Sequence, residues 1–172
     1  MPRVDETVIN FAVYEGGTEH LGMAEVTLPE ISNITNEVKG AGINGTFESV
    51  ALGHIEALSL TLNFRTLTKN TIKLLKPGNH QIDLRAAQQS TDNTSGDTTV
   101  SRVKHVLVVR PKKLAPGKIA PASPADASGE YSVIYWACYI DDVKQFEIDI
   151  LNFKYEIDGV DYLAEVRKAL GK

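Results

Sequence analysis

Residues 58–64 read Leu58-Ser59-Leu60-Thr61-Leu62-Asn63-Phe64, and they give the clearest indication of the fold class. An apolar side chain occupies every second position, and a polar side chain stands between each pair. Successive side chains of a strand point to opposite faces of a sheet, so this spacing predicts a strand with one buried and one hydrated face. Further strands are predicted at 8–14, 21–28, 81–89, 99–109, 131–140 and 145–155. We therefore predict a mainly β protein, an antiparallel sandwich or barrel.

Two segments have the signals of short helices packed on this sheet. Residues 68–76 begin at Thr68, a suitable cap, and end at Pro77-Gly78. Residues 160–170 end at Gly171, and either Asp158 or Asp161 could cap them. The expected packing positions are Ile72, Leu74 and Leu75 in the first helix and Val160, Leu163, Val166 and Leu170 in the second.

The remaining segments predict turns and two long loops within a single domain, residues 1–172. Residues 15–18 are expected to turn the first strand into an antiparallel return at 21–28. Residues 32–50 are rich in Asn, Gly, Ser and Thr, and we expect a long interaction loop there. Residues 111–129 contain four prolines, which predicts a mobile surface loop rather than a domain linker.

Composition excludes several classes of protein. The chain has 172 residues and a net charge of −4, which argues against a protein that binds duplex DNA by neutralising its phosphates. Cys138 is the one cysteine, so no internal disulfide is expected, and its apolar surroundings predict a buried thiol. Because no signal peptide or apolar span is visible, we expect synthesis in a bacterial cytoplasm.

Gly40, Gly42 and Gly45 spell the G-x-G-x-x-G fingerprint of dinucleotide sites. Such a site requires a strand before the motif, a helix after it, and an acidic residue about 20 positions later. Here a polar loop precedes the motif, a strand follows it, and Arg65 stands at the distant position. The motif is therefore interpreted as loop glycines; a titration with NAD would test the alternative of a nucleotide-binding enzyme.

No other residues form a recognisable site. The four histidines are dispersed, and Asp141-Asp142 is better interpreted as a hairpin turn than as a catalytic carboxylate pair. The cations of the proline loop predict a solvated loop rather than a nucleic-acid patch. We predict no catalytic residues, no cofactor and no metal, and hence no enzyme.

Several short motifs follow one another along the chain: Val26-Thr27-Leu28-Pro29, Gly40-Ala41-Gly42-Ile43-Asn44-Gly45, Ala57-Leu58-Ser59, Glu147-Ile148-Asp149 with Asn152, and Gly159-Val160-Asp161 with Leu163. In this order they resemble the major tail tube protein family of contractile-tailed phages. The resemblance spans residues 8–171, although little beyond hairpin character is shared between Arg85 and Tyr131, and the 111–129 loop is peculiar to this chain.

The resemblance implies a structural protein rather than an enzyme. It implies hexameric rings that stack into a hollow tube inside a contractile sheath, together with tape measure and baseplate or initiator proteins. The particle would be a phage tail or a phage-tail-like bacteriocin, and DNA would pass through the lumen only in a phage. A type VI secretion-like tube carrying effectors is the alternative, and the Gly159-Val160-Asp161 pattern favours the phage family.

The resemblance also suggests which residues serve the tube. The glycine loop would contact a neighbouring subunit or ring, and the hydrated strand faces would supply the channel wall. The expected interface residues are Gly40, Gly42, Ile43, Asn44 and Gly45, and the expected lumen residues are Ser59, Thr61, Asn63, Asp83 and Arg85.

Overall fold

The computed structural model describes residues 2–16, 19–20 and 25–172. These residues form a mainly β, antiparallel fold with two short helices, as predicted. The strands are β1 (Arg3–Glu15), β2 (Glu19–His20), β3 (Glu25–Thr27), β4 (Asn33–Val38), β5 (Phe47–Ile55), β6 (Leu58–Phe64), β7 (His80–Asp92), β8 (Thr98–Ala115), β9 (Ala127–Ile140), β10 (Val143–Asp149), β11 (Lys154–Ile157) and β12 (Val160–Asp161); the helices are α1 (Lys69–Lys73) and α2 (Ala164–Ala169).

The main sheet bends because β8 and β9 are long and carry bulges. β9 pairs with β8 along nearly its whole length, whereas its other edge pairs with β6 over residues 127–133 and with β10 over residues 135–140. The register of the β8–β9 pair shifts between Val108 and Val109 and again between Pro111 and Lys113. Bulges of this kind let a strand pass from one layer of a sandwich to the other.

Two layers result, and we name them by their strands. Layer A contains β3, β6, the second half of β8 and the first half of β9. Layer B contains β1, β7, the first half of β8, the second half of β9, β10 and β11. Their inner faces share one hydrophobic core, formed by Leu58, Leu60, Leu62, Phe64, Tyr131 and Val133 of layer A and by Val13, Ile82, Leu84, Leu107, Trp136 and Ile148 of layer B.

The alternation of apolar and polar residues that predicted β6 matches the alternation of buried and partly exposed side chains along the strand. Leu58, Leu60, Leu62 and Phe64 are fully buried, whereas the residues between them are only partly covered. The strand therefore forms the centre of the core from layer A, with Val26 of β3 packing beside it.

Two-residue turns connect the last strands tightly. Asp141 and Asp142 both have positive φ and join β9 to β10, which confirms the predicted hairpin. Asp158 and Gly159 do the same between β11 and β12. Positive φ at both central residues matches the right-handed twist of the flanking strands, and Asp tolerates it better than most residues.

The segment 32–50 is not the unstructured loop that its composition predicts. Its flanks form the antiparallel pair β4–β5, a two-stranded sheet separate from the main one. Both faces of this hairpin are largely exposed, so its residues need no apolar alternation, and that signal was absent from the sequence. The proline-containing loop is also shorter than expected, because β8 continues to Ala115 and β9 begins at Ala127.

The predicted hairpin of β1 is also corrected. β2 pairs with β1 at Tyr14 and Glu15, but the expected return strand supplies β3, which pairs with β6. Gly17, Thr18 and residues 21–24 of the predicted turn and return strand lie outside the described residues.

The strand predicted at 145–155 is wrong, because it divides at residues 150–153 into β10 and β11. The carboxylate of Asp149 accepts hydrogen bonds from the backbone N–H of Asn152 at 3.1 Å and from its side-chain amide at 2.7 Å. This local bonding replaces the ladder and turns the chain.

Both helices are shorter than predicted. Thr68 caps α1 by accepting the N–H of Thr71, and Leu74 is buried, but Ile72 and Leu75 are about half exposed. α2 begins only at Ala164, because Val160 and Asp161 pair with β11 instead.

Candidate assembly surfaces

The tip of the β4–β5 hairpin carries the glycine motif. The N–H of Ile43 bonds to the carbonyl of Gly40, and Gly42 has φ +88°, the arrangement of a type II turn that needs positive φ at its third residue. A dinucleotide site requires a helix after the glycine motif, but the strand β5 follows it here, so the dinucleotide interpretation is wrong. The hairpin exposes a row of apolar side chains: Ile34, Ile43, Phe47, Val50 and Leu52.

Three of the five predicted interface residues are glycines, and they differ in whether the local backbone favours glycine. Gly42 and Gly45 adopt positive φ, which favours glycine for backbone reasons alone. Gly40 does not, and a Cβ added there would meet nothing within 4 Å. The isolated subunit therefore offers no steric or backbone reason for glycine at position 40.

The base of the hairpin is tightly packed against the C-terminal segment. Gly53 of β5 has φ +67°, and a Cβ there would lie 2.7 Å from Cγ and 2.8 Å from Cδ1 of Leu163, with Cδ2 closer still. Beside this contact lies a cavity of about 270 Å³ whose lining includes Ile55, Phe153 and Val166. The close approach couples the direction of the hairpin to the position of α2.

α2 is held by an ion pair and a backbone contact. Arg167 donates to the Asp161 carboxylate at 2.5 Å and to the carbonyl of Phe153 at 2.7 Å. The hydrogen bond from Arg167 lowers the pKa of Asp161, which also accepts the N–H of Leu163. The helix thus stays against the β10–β11 turn despite having only six residues.

A second surface is the outer edge of β1. Its inner edge pairs with β7 from Arg3 to Glu15, whereas among the described residues its outer edge pairs only at Tyr14 and Glu15. Residues 3–10 are exposed, and Val4, Val8 and Ile9 are each about half exposed. An edge strand of this length presents a row of backbone groups ready for another strand.

The predicted lumen residues fall into two groups on different layers. Ser59, Thr61 and Asn63 lie on the outer face of layer A and are partly covered. Asp83 and Arg85 lie on the outer face of layer B. Because the inner faces of both layers share one core, their outer faces point away from each other. The structure therefore does not bring these two groups together.

Asp83 does not fit the predicted hydrated face. Its side chain is only 4% exposed and accepts a hydrogen bond from Gln81 at 3.3 Å. Tyr14 stands directly opposite it on β1, and the Arg85 guanidinium carbon lies 4.9 Å from the centroid of that ring. Asp83 is therefore buried, whereas Arg85, two residues along the same strand face, is exposed.

A charge network on the outer face of layer B was missed from the sequence. Lys144 lies 2.5 Å from Glu147 and 3.3 Å from Glu156, and Lys154 completes the ring at 3.2 and 3.5 Å from the same carboxylates. These interactions raise the pKa of Lys144, mainly through its hydrogen bond with Glu147. A bulge between Lys144 and Phe146 places Lys144 and Glu147, three residues apart, on the same face of the sheet. The two-residue period of a regular strand would place them on opposite faces, so the sequence pattern did not predict this network.

The described residues offer little for chemistry. No group of three or more His, Cys, Asp or Glu side chains in the described ranges is placed to hold a metal. Cys138 is buried, and burial raises the pKa of its thiol, which disfavours the reactive thiolate. None of the helices seen in those ranges is long and apolar enough to cross a membrane.

Comparisons with known proteins agree with this arrangement. The tail tube protein of Escherichia phage P2 is 26% identical over 163 residues, covering 92% of this chain and 93% of the relative. The major tail tube protein of Serratia phage KSP20 is 27% identical over 164 residues, covering 94% and 93%.

A solved structure shares the fold. It comes from a cryo-EM study of an extracellular contractile injection system, the PVC sheath/tube terminator in the extended state, and superposes with a TM-score of 0.54 at 15% identity. The match covers 78% of this chain and 96% of that one. The family model described as phage tail tube protein FII matches residues 5–171, and the chain therefore belongs to the phage tail tube protein FII family.

Proposed function

We propose that this protein is the subunit of the inner tail tube of a contractile phage tail or phage-tail-like bacteriocin. It assembles into hexameric rings, which stack into a hollow conduit inside a contractile sheath. The observation that carries the proposal is the family match across residues 5–171. The function is mechanical and requires neither a cofactor nor catalysis.

The open edge of β1 supports closure of the ring. An open edge over residues 3–13 is a liability in a monomer, and pairing with a strand of the next subunit removes it. Repetition of that step around a ring joins the layer B sheets into one barrel, which has no edges. The exposed apolar side chains of β1, Val4, Val8 and Ile9, are then covered by the neighbouring subunit.

The β4–β5 hairpin supports stacking. It forms a sheet of its own, and the apolar side chains Ile34, Ile43, Phe47, Val50 and Leu52 remain 40–58% exposed in the described part of the chain. Burial of one half-exposed Phe or Leu contributes on the order of 1 kcal/mol, so several such side chains stabilise a ring contact appreciably. Gly40, Gly42, Ile43, Asn44 and Gly45 form the tip that reaches the neighbouring subunit or ring.

Gly40 provides the sharpest test of that contact. Since the free subunit has room for a side chain at position 40, Gly40→Ala and Gly40→Val should change its unfolding free energy by less than about 0.5 kcal/mol. A close backbone approach in the tube would nevertheless make Gly40→Val assemble poorly, with Gly40→Ala intermediate. Both variants forming normal tubes would refute the contact. Gly42→Val is less informative, because its φ of +88° already penalises valine.

Electron microscopy of the purified protein tests the function itself. Negative-stain images of concentrated protein should contain uniform rings or tubes with a central channel. A protein that stays monomeric at high concentration would contradict the proposal.

The relatives found are proteins of phages, which favours a phage-type tail over the alternative of a type VI secretion-like tube carrying effectors. Neighbouring genes separate the remaining possibilities. Head and packaging genes beside this one indicate a phage whose DNA traverses the tube, and their absence indicates a bacteriocin. Tape measure and baseplate or initiator proteins would accompany it in either particle.

A further inference from the structure

The cations of this chain are concentrated at one end of the molecule. Residues 65–79 and 110–118 contain eight of the 18 Lys and Arg residues and none of the 22 Asp and Glu residues. The two segments lie together, because Nε of Arg110 donates to the side-chain oxygen of Asn79 at 2.8 Å. We call the following residues the basic end: Arg65, Lys69, Lys73, Lys76, Arg110, Lys112, Lys113 and Lys118.

The side chains of the basic end are open to solvent. All eight cations are exposed. Lys112 lies 3.6 Å from Glu130, and Lys118 lies 3.3 Å from Asp126, but exposed ion pairs of this kind contribute little and are screened by salt. The basic end therefore keeps a field that can attract an acidic surface.

The basic end also includes an open strand edge. The pairing of β8 with β7 stops at Val109, so among the described strands residues 110–115 of β8 pair only with β9. Lysines and a proline, Pro111, occupy this edge, and both residue types disfavour the addition of another strand. A contact here would depend on the charged side chains rather than on a backbone ladder.

The opposite ends of the layer B strands are acidic. The Asp92 carboxylate, in the β7–β8 turn, accepts the N–H of Thr94 at 2.7 Å and of Ser95 at 3.2 Å, and these hydrogen bonds lower its pKa. The start of β1 lies beside this turn, since Arg3 stands opposite Asp92. We call the carboxylates of these strand ends the acidic end, and they outnumber the neighbouring Arg3 and Arg102: Asp5, Glu6, Asp92, Asp97, Asp141 and Asp142.

The two ends cannot neutralise each other within one subunit. β7 runs from His80, beside the basic end, to Asp92 at the acidic end, and its 13 residues span about 40 Å at about 3.3 Å per residue. Interactions between exposed charges at physiological ionic strength decay over about 8 Å. Each end therefore presents its charge to whatever lies beyond the strand ends.

In a barrel of joined layer B sheets, the strands run from one rim to the other, so the two ends of each subunit lie at opposite rims. Rings that stack in one direction bring unlike rims together, and such head-to-tail contacts require complementary surfaces. We propose that the basic end of each subunit binds the acidic end of a second copy of this chain in the next ring. The proposal rests on the proposed tube function and specifies how its rings stack.

Charge reversal at exposed positions tests this contact. The basic-end variant carries Lys69→Glu, Lys76→Glu and Lys113→Glu, and the acidic-end variant carries Asp5→Lys and Asp97→Lys. In the described part of the chain none of these five side chains has a hydrogen bond or an ion pair, so the fold should accept the changes. Each variant should still close into rings but need on the order of tenfold more protein to form tubes, because the attraction between rims is largely cancelled.

Combining the two variants tests whether the two ends bind each other. If they do, the chain with all five substitutions should need no more protein than the basic-end variant, since one contact cannot be lost twice. Additive losses would mean that each end binds something else, and they would overturn the proposal.

Salt provides a second measurement. Wild-type protein should need on the order of tenfold more protein to form tubes at 0.5 M than at 0.05 M NaCl, because screening shortens the reach of both rims. The two variants should lose most of this dependence. The charge-conserving controls, Lys69→Arg with Lys76→Arg and Lys113→Arg, and Asp5→Glu with Asp97→Glu, should behave as the wild type.

Sedimentation and electron microscopy distinguish single rings from tubes, and urea unfolding followed by Trp136 fluorescence verifies that each variant folds. The outcomes separate this inference from the proposed function. If wild-type protein forms tubes and both variants form them at unchanged concentration, the rim contact is wrong and the tube function stands. A folded basic-end variant that forms no rings at all would place α1 in ring closure and would also overturn the proposal.

A different occupant of the basic end has its own signature. If both variants stack normally but the basic-end variant no longer retains a fluorescent single-stranded oligonucleotide that the wild type binds, the basic end serves a polyanion and the rim contact is wrong. Wild-type protein that never assembles contradicts the tube function itself.

Discussion

The base of the β4–β5 hairpin offers the most quantitative prediction. Gly53→Ala places a methyl group within 2.7–2.8 Å of Cγ and Cδ1 of Leu163, a side chain only 7% exposed. Left-handed backbone costs a non-glycine residue about 1–2 kcal/mol, and overpacking of a buried site adds about 1–3 kcal/mol. We therefore expect Gly53→Ala to destabilise the subunit by about 2–5 kcal/mol, the sum of these two effects.

Gly42→Ala is the matched control. Gly42 also has positive φ, +88°, but a Cβ there meets nothing within 4 Å. It should cost only the backbone contribution, about 1–2 kcal/mol. The difference between the two substitutions isolates the contact with Leu163.

A double-mutant cycle completes the test. Leu163→Ala alone should cost about 2–3 kcal/mol, the low end for a buried leucine, because the site lies at the edge of the core. In the double variant the overpacking is relieved, so the combined cost should fall short of the sum by about 1–3 kcal/mol.

The assay is urea unfolding of dilute, unassembled protein. Trp136 is the chain's single tryptophan, and its ring centroid lies 4.8 Å from that of Phe146 in the core, so its fluorescence reports unfolding. Additivity of the two substitutions within about 0.5 kcal/mol would refute the steric coupling. So would a Gly42→Ala variant as unstable as Gly53→Ala.

Two further predictions concern the core. Burial lowers the pKa of His105, and the indole N–H of Trp136 donates to its Nδ1 at 3.2 Å. As the pH falls, the unfolded chain therefore binds a proton at this histidine before the folded chain does. The free energy of unfolding should be complete above the ordinary His pKa of about 6.5 and should fall as the pH drops through and below that value. His105→Gln should flatten this pH dependence in urea unfolding relative to exposed His54→Gln, and equal slopes would contradict it. Leu74→Ala should lower the free energy of unfolding by about 2–5 kcal/mol and Ile72→Ala by less than about 1 kcal/mol, since only Leu74 is fully buried. Equal losses of stability in thermal or urea unfolding would contradict this packing of α1 on the core.

Much of the fold could be predicted wherever burial imposes a period on the chain. β6 alternates because one face lies in the core, and the same holds for the inner residues of β7, β8 and β9. Thr68 was identifiable as a cap, since capping depends only on residues a few positions apart. Asp141-Asp142 was likewise a recognisable turn.

The β4–β5 hairpin lay beyond such prediction, because both of its faces are exposed and its residues need not alternate. The division of β10 from β11 depends on one side chain, Asp149, bonding locally to Asn152. Of the candidate site, the glycines of the hairpin tip were found by motif, whereas the open edge of β1 and the charge network around Lys144 were not. Both depend on which strands become neighbours.

The β class, the buried face of β6 and the family resemblance follow from the sequence alone, because periodicity and motifs are properties of residues close along the chain. The folded arrangement is needed to know that Asp83 is buried while Arg85 stays exposed, and that Arg85 stands opposite Lys104. It alone placed Ser59 and Arg85 on outer faces of different layers. Such relations follow from long-range strand pairing and from the bends of β8 and β9, so no local window of sequence contains them.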